Sequence, residues 1–207
     1  STRNAIVAPR IVVYQYPGEG KEWEGKSKEL LTPKGVRDWM KYASKKGVDG
    51  IKLKNIYYPP AIMQLLLSEA KKYNMGSTAH LGQMGVAQMN ALDAARLGLG
   101  SMTHHYGLFE TLYKDHDIQP YPVDMNYMNE QDRFGQVARQ WNLLHDKGSQ
   151  AWNALIDEFL ALDFYINPTM AIYSASRDLM RARNADWHDN YTLPSQWDYF
   201  QASRAAH

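Results

Sequence analysis

Three side chains able to do chemistry recur at the same kind of place in this chain, at the end of a short strand-like run that follows a glycine stop. Lys52 ends Val48-Asp49-Gly50-Ile51-Lys52, His80 ends Ser77-Thr78-Ala79-His80 and His104 ends Ser101-Met102-Thr103-His104. A neutral imidazole can ligate a divalent transition metal or carry a proton near neutral pH. Cysteine is absent, which excludes disulfides, zinc-thiolate sites and thiol nucleophiles, so any metal must be held by histidine, carboxylate or a modified side chain. A lone strand-end histidine is more often a hydrogen-bonded group than a ligand, and it is the series of three that singles out His80. His104 and His105 are adjacent, and on a strand their side chains would point to opposite faces, so only one could look the same way as His80. Lys54 shares a face with Lys52, and either could be a solvated strand-end cation.

Those positions need elements to hold them. Ile11-Val12-Val13-Tyr14 has the β-branched and aromatic content of a buried strand, punctuated by Pro17-Gly18-Glu19-Gly20. Thr32 is placed to cap a helix with Pro33 at its first position; Val36, Trp39, Met40 and Ala43 follow at helical spacing and Gly47 stops it. Pro59-Pro60 opens a second helix through Ile62, Leu65, Leu66 and Ala70, and a third is predicted over residues 86–97, before Gly98-Leu99-Gly100. Strands alternating with helices predict an α/β fold with a parallel sheet, either doubly wound or part of a (β/α) barrel. In both, functional residues gather at the carboxyl ends of the strands. Residues 108–130, rich in Tyr, Asp, Met and Pro, read as a loop or lid over that end. Residues 134–162 read as two helices divided at Gly148, and Phe164-Tyr165-Ile166-Asn167-Pro168-Thr169-Met170 reads as a further strand ended by Pro168. The tail, 174–207, is aromatic, charged and irregular in pattern.

Composition bounds the rest. The 207 residues, 44% of them hydrophobic, suffice for one domain with a substantial core, and 1–207 is read as a single domain. With 23 basic and 22 acidic residues the formal net charge is +1, which leaves no footprint for nucleic acid or an anionic membrane. No apolar run approaches the roughly 20 residues of a membrane span, so a soluble chain is expected, its compartment open. His116, His145 and His188 read as surface or locally bonded groups, Asp49 as a supporting or structural residue, and the cluster of Trp187, Tyr191, Trp197, Tyr199 and Phe200 as core or interface.

The succession Gly47-Val48-Asp49-Gly50-Ile51-Lys52, then Thr78-Ala79-His80, then Gly100-Ser101-Met102-Thr103-His104, then Asn167-Pro168-Thr169 resembles the amidohydrolase superfamily. The branch it resembles includes imidazolonepropionase-like and prolidase-like hydrolases, and the likeness covers roughly residues 8–173. It implies a (β/α)8 barrel of TIM type, partial, with first and last strands not evident. It also implies that His80 and His104 are metal ligands and that Lys52 matches a lysine that can be carboxylated to bridge two metals. Tyr106 and Thr169 would face the same mouth and touch the substrate. The cofactor is then one or two divalent ions, zinc foremost, and the reaction hydrolysis of an amide or other carbon-nitrogen bond in a small or peptide-like substrate by metal-activated water.

Members of that family also carry a His-x-His pair on the first strand and an Asp at the end of the eighth. No histidine precedes His80, and Asp178, Asp186, Asp189 and Asp198 lie in helix-like or irregular sequence. The expectation is therefore a segment of a longer enzyme, inactive by itself, whose exposed strand edges favour a homo-oligomer. The alternative is a degenerate barrel that serves as a binding or interaction module.

Overall fold

The computed structural model of this chain describes residues 9–54, 58–86, 88–115, 120–126 and 128–199. It divides into two compact units, the first ending at Pro168 and the second beginning at Thr169. The first is α/β. Its elements run β1 (Tyr14–Gln15), α1 (Pro33–Lys45), β2 (Gly50–Lys54), α2 (Pro60–Lys72), β3 (Gly76–His80), α3 (Gln83–Val86), α4 (Ala91–Arg96), β4 (Ser101–Thr103), α5 (Glu130–Arg139), α6 (Gln150–Ala161) and β5 (Tyr165–Asn167). The five strands form one parallel sheet in the order β1-β2-β3-β4-β5.

The helices begin where the sequence supplies caps. Thr32 Oγ1 accepts the Gly35 N–H at 3.1 Å, Pro33 occupies the first turn, and Val36, Trp39, Met40 and Ala43 are all fully buried. Gly35 is needed there, because a Cβ would lie 2.0 Å from the Glu29 carbonyl oxygen of the preceding 3₁₀ turn, Ser27–Leu31. In α2 the deepest side chains are Met63, Leu66, Leu67 and Ala70, while Ile62 and Leu65 pack at the edge of the same core.

Alternation along the strands separates two faces of the sheet. Ile51, Leu53, Ala79 and Met102 are fully buried and join α1, α2 and α6 in one apolar cluster. On the other face the register aligns Lys52 with Thr78 and Lys54 with His80, then Thr78 with Ser101 and His80 with Thr103, and finally Thr103 with Asn167. Toward the amino end, Tyr14 lies across Gly50 and Gly76. A Cβ on Gly50 would meet the Tyr14 ring at 2.5 Å, and one on Gly76 would meet its hydroxyl at 2.1 Å.

Several expectations are corrected. The first strand is short and exposed: Ile11, Val12 and Val13 are 76%, 54% and 47% exposed, and only Tyr14–Gln15 enter the ladder. Val13 is held by Asp49, whose carboxylate accepts its N–H at 2.8 Å, so Asp49 has the structural role of fastening β1 to β2. The single helix predicted over 86–97 is interrupted because Asn90 and Asp93 form a capping box that starts α4 afresh, the Asn90 side chain accepting the Asp93 N–H at 3.0 Å and the Asp93 carboxylate the Asn90 N–H at 3.1 Å. Residues 134–162 do divide into two helices, with Ser149 capping the second and Gly148 at φ +81°. Met170 belongs to a helix rather than a strand.

The second unit is helical where the tail pattern suggested irregularity: α7 (Met170–Arg177), α8 (Leu179–Arg183), α9 (His188–Tyr191) and α10 (Pro194–Tyr199). Local bonds account for this. Asp178 accepts the Arg181 N–H at 3.1 Å, and His188 is engaged at both ring nitrogens, by Thr192 Oγ1 at 2.7 Å and the Ala182 carbonyl at 3.0 Å. Among the described residues no helix is long and apolar enough to cross a membrane.

The Tyr14 contact yields a discriminating pair of substitutions. Gly76→Ala is expected to cost about 1–3 kcal/mol by overpacking, and Tyr14→Phe to recover most of that by removing the hydroxyl. Gly50→Ala meets the ring itself, so Tyr14→Phe should not rescue it. Urea denaturation of the four variants checks this; equal rescue of both glycine positions would mean that the ring simply moves aside.

Candidate functional site

β2, β3 and β4 deliver their last side chains to one end of the polar face. His80 is the final residue of β3 and His104 follows β4 directly. The two imidazole rings approach edge to face, with centroids 4.8 Å apart and planes inclined by 76°. Two imidazoles bound to one ion at about 2.0–2.1 Å from each nitrogen have centroids roughly 5 Å apart, so this spacing fits a shared cation. His104 adopts φ +68°, a left-handed conformation, and its N–H donates to the Asn167 carbonyl at 2.8 Å, which fixes it between β4 and β5.

Lys52 reaches the same place from below. Its Nζ donates to Thr103 Oγ1 at 2.6 Å, two strands away, so the side chain crosses the front of β3. The Thr103 hydroxyl in turn donates to the Ala79 carbonyl at 3.2 Å. Half-burial, seconded by the charge of Lys54, holds the Lys52 ammonium below the usual lysine range.

His105 faces another environment. Both histidines lie beyond the end of β4, so they separate because the chain turns at His104 rather than by strand alternation. His105 packs on Tyr106, at 4.6 Å between centroids, and on Phe109, at 5.6 Å. Burial first and the neighbouring His104 second depress it to about pKa 4, so it stays neutral at physiological pH. Tyr106 is 3% exposed, with its ring 6.0 Å from His80, and it backs the histidine pair. The following loop is anchored by an antiparallel bridge between Tyr113 and Leu144, and within it the Tyr113 hydroxyl donates to Gln140 Oε1.

The fold therefore brings Lys52, His80, His104 and Tyr106 together. Thr169, the other expected substrate contact, is the first residue of the second unit, with φ +53°. His116 and His207 lie outside the described residues. Among the described residues no group of three or more His, Cys, Asp or Glu side chains gathers as a metal cluster. The imidazole pair thus fits two positions on an ion, with Lys52 as a further nitrogen on the same face, short of the three protein ligands typical of catalytic zinc. Thr103 was not singled out from the sequence; its signal was adjacency to His104 on a strand facing Lys52.

No protein-family model matches the chain, and neither a curated protein nor a solved structure does. The functional argument rests on the residues.

The Lys52–Thr103 bond can be tested by a double-mutant cycle. Thr103→Val is expected to destabilise by about 1–3 kcal/mol, because it strips a half-buried ammonium of its acceptor, whereas Thr103→Ser should keep most of the stability. Lys52→Met added to Thr103→Val should restore part of the loss. Simple additivity of the two changes in denaturant unfolding would show that the pair is not coupled.

Proposed function

We propose that this chain is part of a metal-dependent hydrolase of amidohydrolase type, acting on an amide or other carbon-nitrogen bond. The observation that carries the reading is the His80–His104 pair, at 4.8 Å between ring centroids, at the carboxyl end of a parallel sheet. His80 and His104 would hold a divalent cation, zinc foremost, and Lys52, carried to the same face, is the candidate third group. When bound, such a cation lowers the pKa of water and polarises a carbonyl. The protein's own part is to orient the imidazoles, through the backbone bond from His104 to Asn167 and the packing of Tyr106 against His80.

The (β/α)8 architecture belongs to the same proposal. Parallel strands that follow one another in chain order, with helices between them, wind in one direction, and right-handed crossovers then put the helices on one side. That favours an arc of a barrel over a doubly wound sheet, in which strand order reverses. The apolar face would be the helix side, and the face carrying Lys52, Thr78, His80 and Thr103 the barrel interior. The outer strands β1 and β5 offer edges for further strands or for a second copy of the chain.

Elemental analysis by inductively coupled plasma mass spectrometry tests the proposal. Near-stoichiometric zinc, iron or manganese is expected in the wild type, with at least a tenfold loss in His80→Ala and in His104→Ala while both remain folded. A wild-type protein that stays metal-free after reconstitution would exclude the hydrolase reading and favour a binding module.

A further inference from the structure

A cavity of about 180 Å³, lined by none of the residues of the histidine site, lies between the 3₁₀ turn Gln140–Leu143 and the start of α6. Trp141 and Trp152 supply its aromatic walls, and Asn142, His145, Asp146 and Lys147 its polar groups. The backbone between the two tryptophans is tied down on both sides. The Lys114 N–H donates to the Leu143 carbonyl at 3.0 Å and the His145 N–H to the Leu112 carbonyl at 2.8 Å, around the Tyr113–Leu144 bridge. Further on, the Ser149 N–H donates to the Asp146 carbonyl at 2.9 Å, and Ser149 Oγ accepts the Trp152 N–H at 3.3 Å. Trp152 is half-buried against the core. Trp141 is 58% exposed, and the Phe109 ring meets it edge to face at 6.2 Å between centroids, which steadies the indole beside the cavity. A single exposed tryptophan would need no ligand; one that shares a cavity with a second tryptophan and four polar side chains has the composition of a small-molecule site.

Charge decides among ligands. Asp146 Oδ1 stands 3.3 Å from the Lys114 ammonium, and Lys147 lines the same cavity. A cation would meet two lysines for one carboxylate, which opposes the attraction of the indole faces. An anion would meet that carboxylate, and a wholly apolar ligand would strip water from the polar groups without replacing it. Among the described residues the side chains of Asn142, His145 and Lys147 make no hydrogen bond or ion pair, so they are open to a ligand. A hydroxyl both donates and accepts, and the lining offers Asp146 as acceptor, Lys147 as donor, and Asn142 and His145 as either. A pyranose ring carries such hydroxyls on its edge, while the C–H groups of its face bear partial positive charge suited to the negative face of an indole. The volume lies below the roughly 300–1,000 Å³ of larger ligand sites, which suits one sugar ring and not a chain of them.

We infer that this cavity binds a neutral sugar, a single pyranose ring stacked on Trp141 with its hydroxyls on Asn142, Asp146 and Lys147. The site needs no metal and goes beyond the hydrolase reading without resting on it. Asp146 is the one carboxylate among its described lining residues, whereas glycoside hydrolysis uses a pair; the cavity holds the sugar and does not cleave it.

Ligand-observed NMR titration of the full chain in EDTA tests this. The probes are methyl α-D-glucopyranoside, methyl β-D-galactopyranoside and methyl N-acetyl-β-D-glucosaminide, with tetramethylammonium and benzoate as charged comparisons. At least one glycoside should bind saturably with roughly millimolar affinity, as suits a ligand of this size, and saturation transfer should be strongest to the C–H protons of one ring face. Trp141→Ala should weaken binding roughly tenfold, and Trp141→Tyr, which keeps a ring to stack on, by much less. Asp146→Ala, at an exposed position, should weaken it several-fold and covers the case in which Trp141→Ala fails to fold. Trp187→Ala, at an exposed tryptophan of the second unit, should leave it unchanged. No saturable binding of any glycoside, undiminished binding in folded Trp141→Ala or in Asp146→Ala, an equal loss in Trp187→Ala, or tighter binding of tetramethylammonium or benzoate would overturn the inference.

Discussion

The in-register parallel pairing of β2, β3 and β4 is the constraint on which the chemistry of the first unit depends. It sets Lys54, His80 and Thr103 in one row and Lys52, Thr78 and Ser101 in the row below. A slip of one residue would exchange each row with its neighbour's opposite face. Ile51, Ala79 and Met102 would then be turned out, and Lys52, His80 and Thr103 would enter a core that admits no water. Ionic groups there would need partners the core does not have, so the apolar half of each strand holds the polar half in position.

Two histidines adjacent in sequence are put to different uses by one backbone turn. His104 stands against His80 at the polar end of the sheet, and His105 is folded back into an aromatic stack that keeps it uncharged. Lys52 obeys the same economy of burial: a threonine hydroxyl, rather than a carboxylate, receives its proton-bearing end, so solvation is replaced without neutralising the site's charge.

How far the sequence discloses this varies with the physical range of each feature. α1 was legible because its cap, first-turn proline and apolar spacing are all local. Of the strand ends expected at Lys52, His80 and His104, His80 does close β3, whereas β2 runs on to Lys54 and β4 closes at Thr103, because glycine stops mark where a strand enters and not where its pairing ends. The break before α4 was missed because helical periodicity continues across it, while the Asn90–Asp93 capping box that causes it is one residue pair inside the run. The exposure of Ile11 and Val12 could not be read at all, because β-branched composition reports strand preference and not whether a neighbour exists to cover the strand. Thr103 and Lys54 owe their places to pairing between strands 20 or more residues apart, which no local pattern states.

The left-handed backbone of His104 narrows what evolution or design can place there. Besides glycine, only asparagine, aspartate and histidine settle readily at such a φ, and of these aspartate is also a metal ligand. A harder oxygen donor could therefore enter this position without a conformational penalty, while methionine or a β-branched residue would meet one. If the proposed cation is bound there, the backbone leaves open a route along which ion preference would drift from the borderline metals that imidazole favours toward manganese or magnesium, with the sheet around it unchanged.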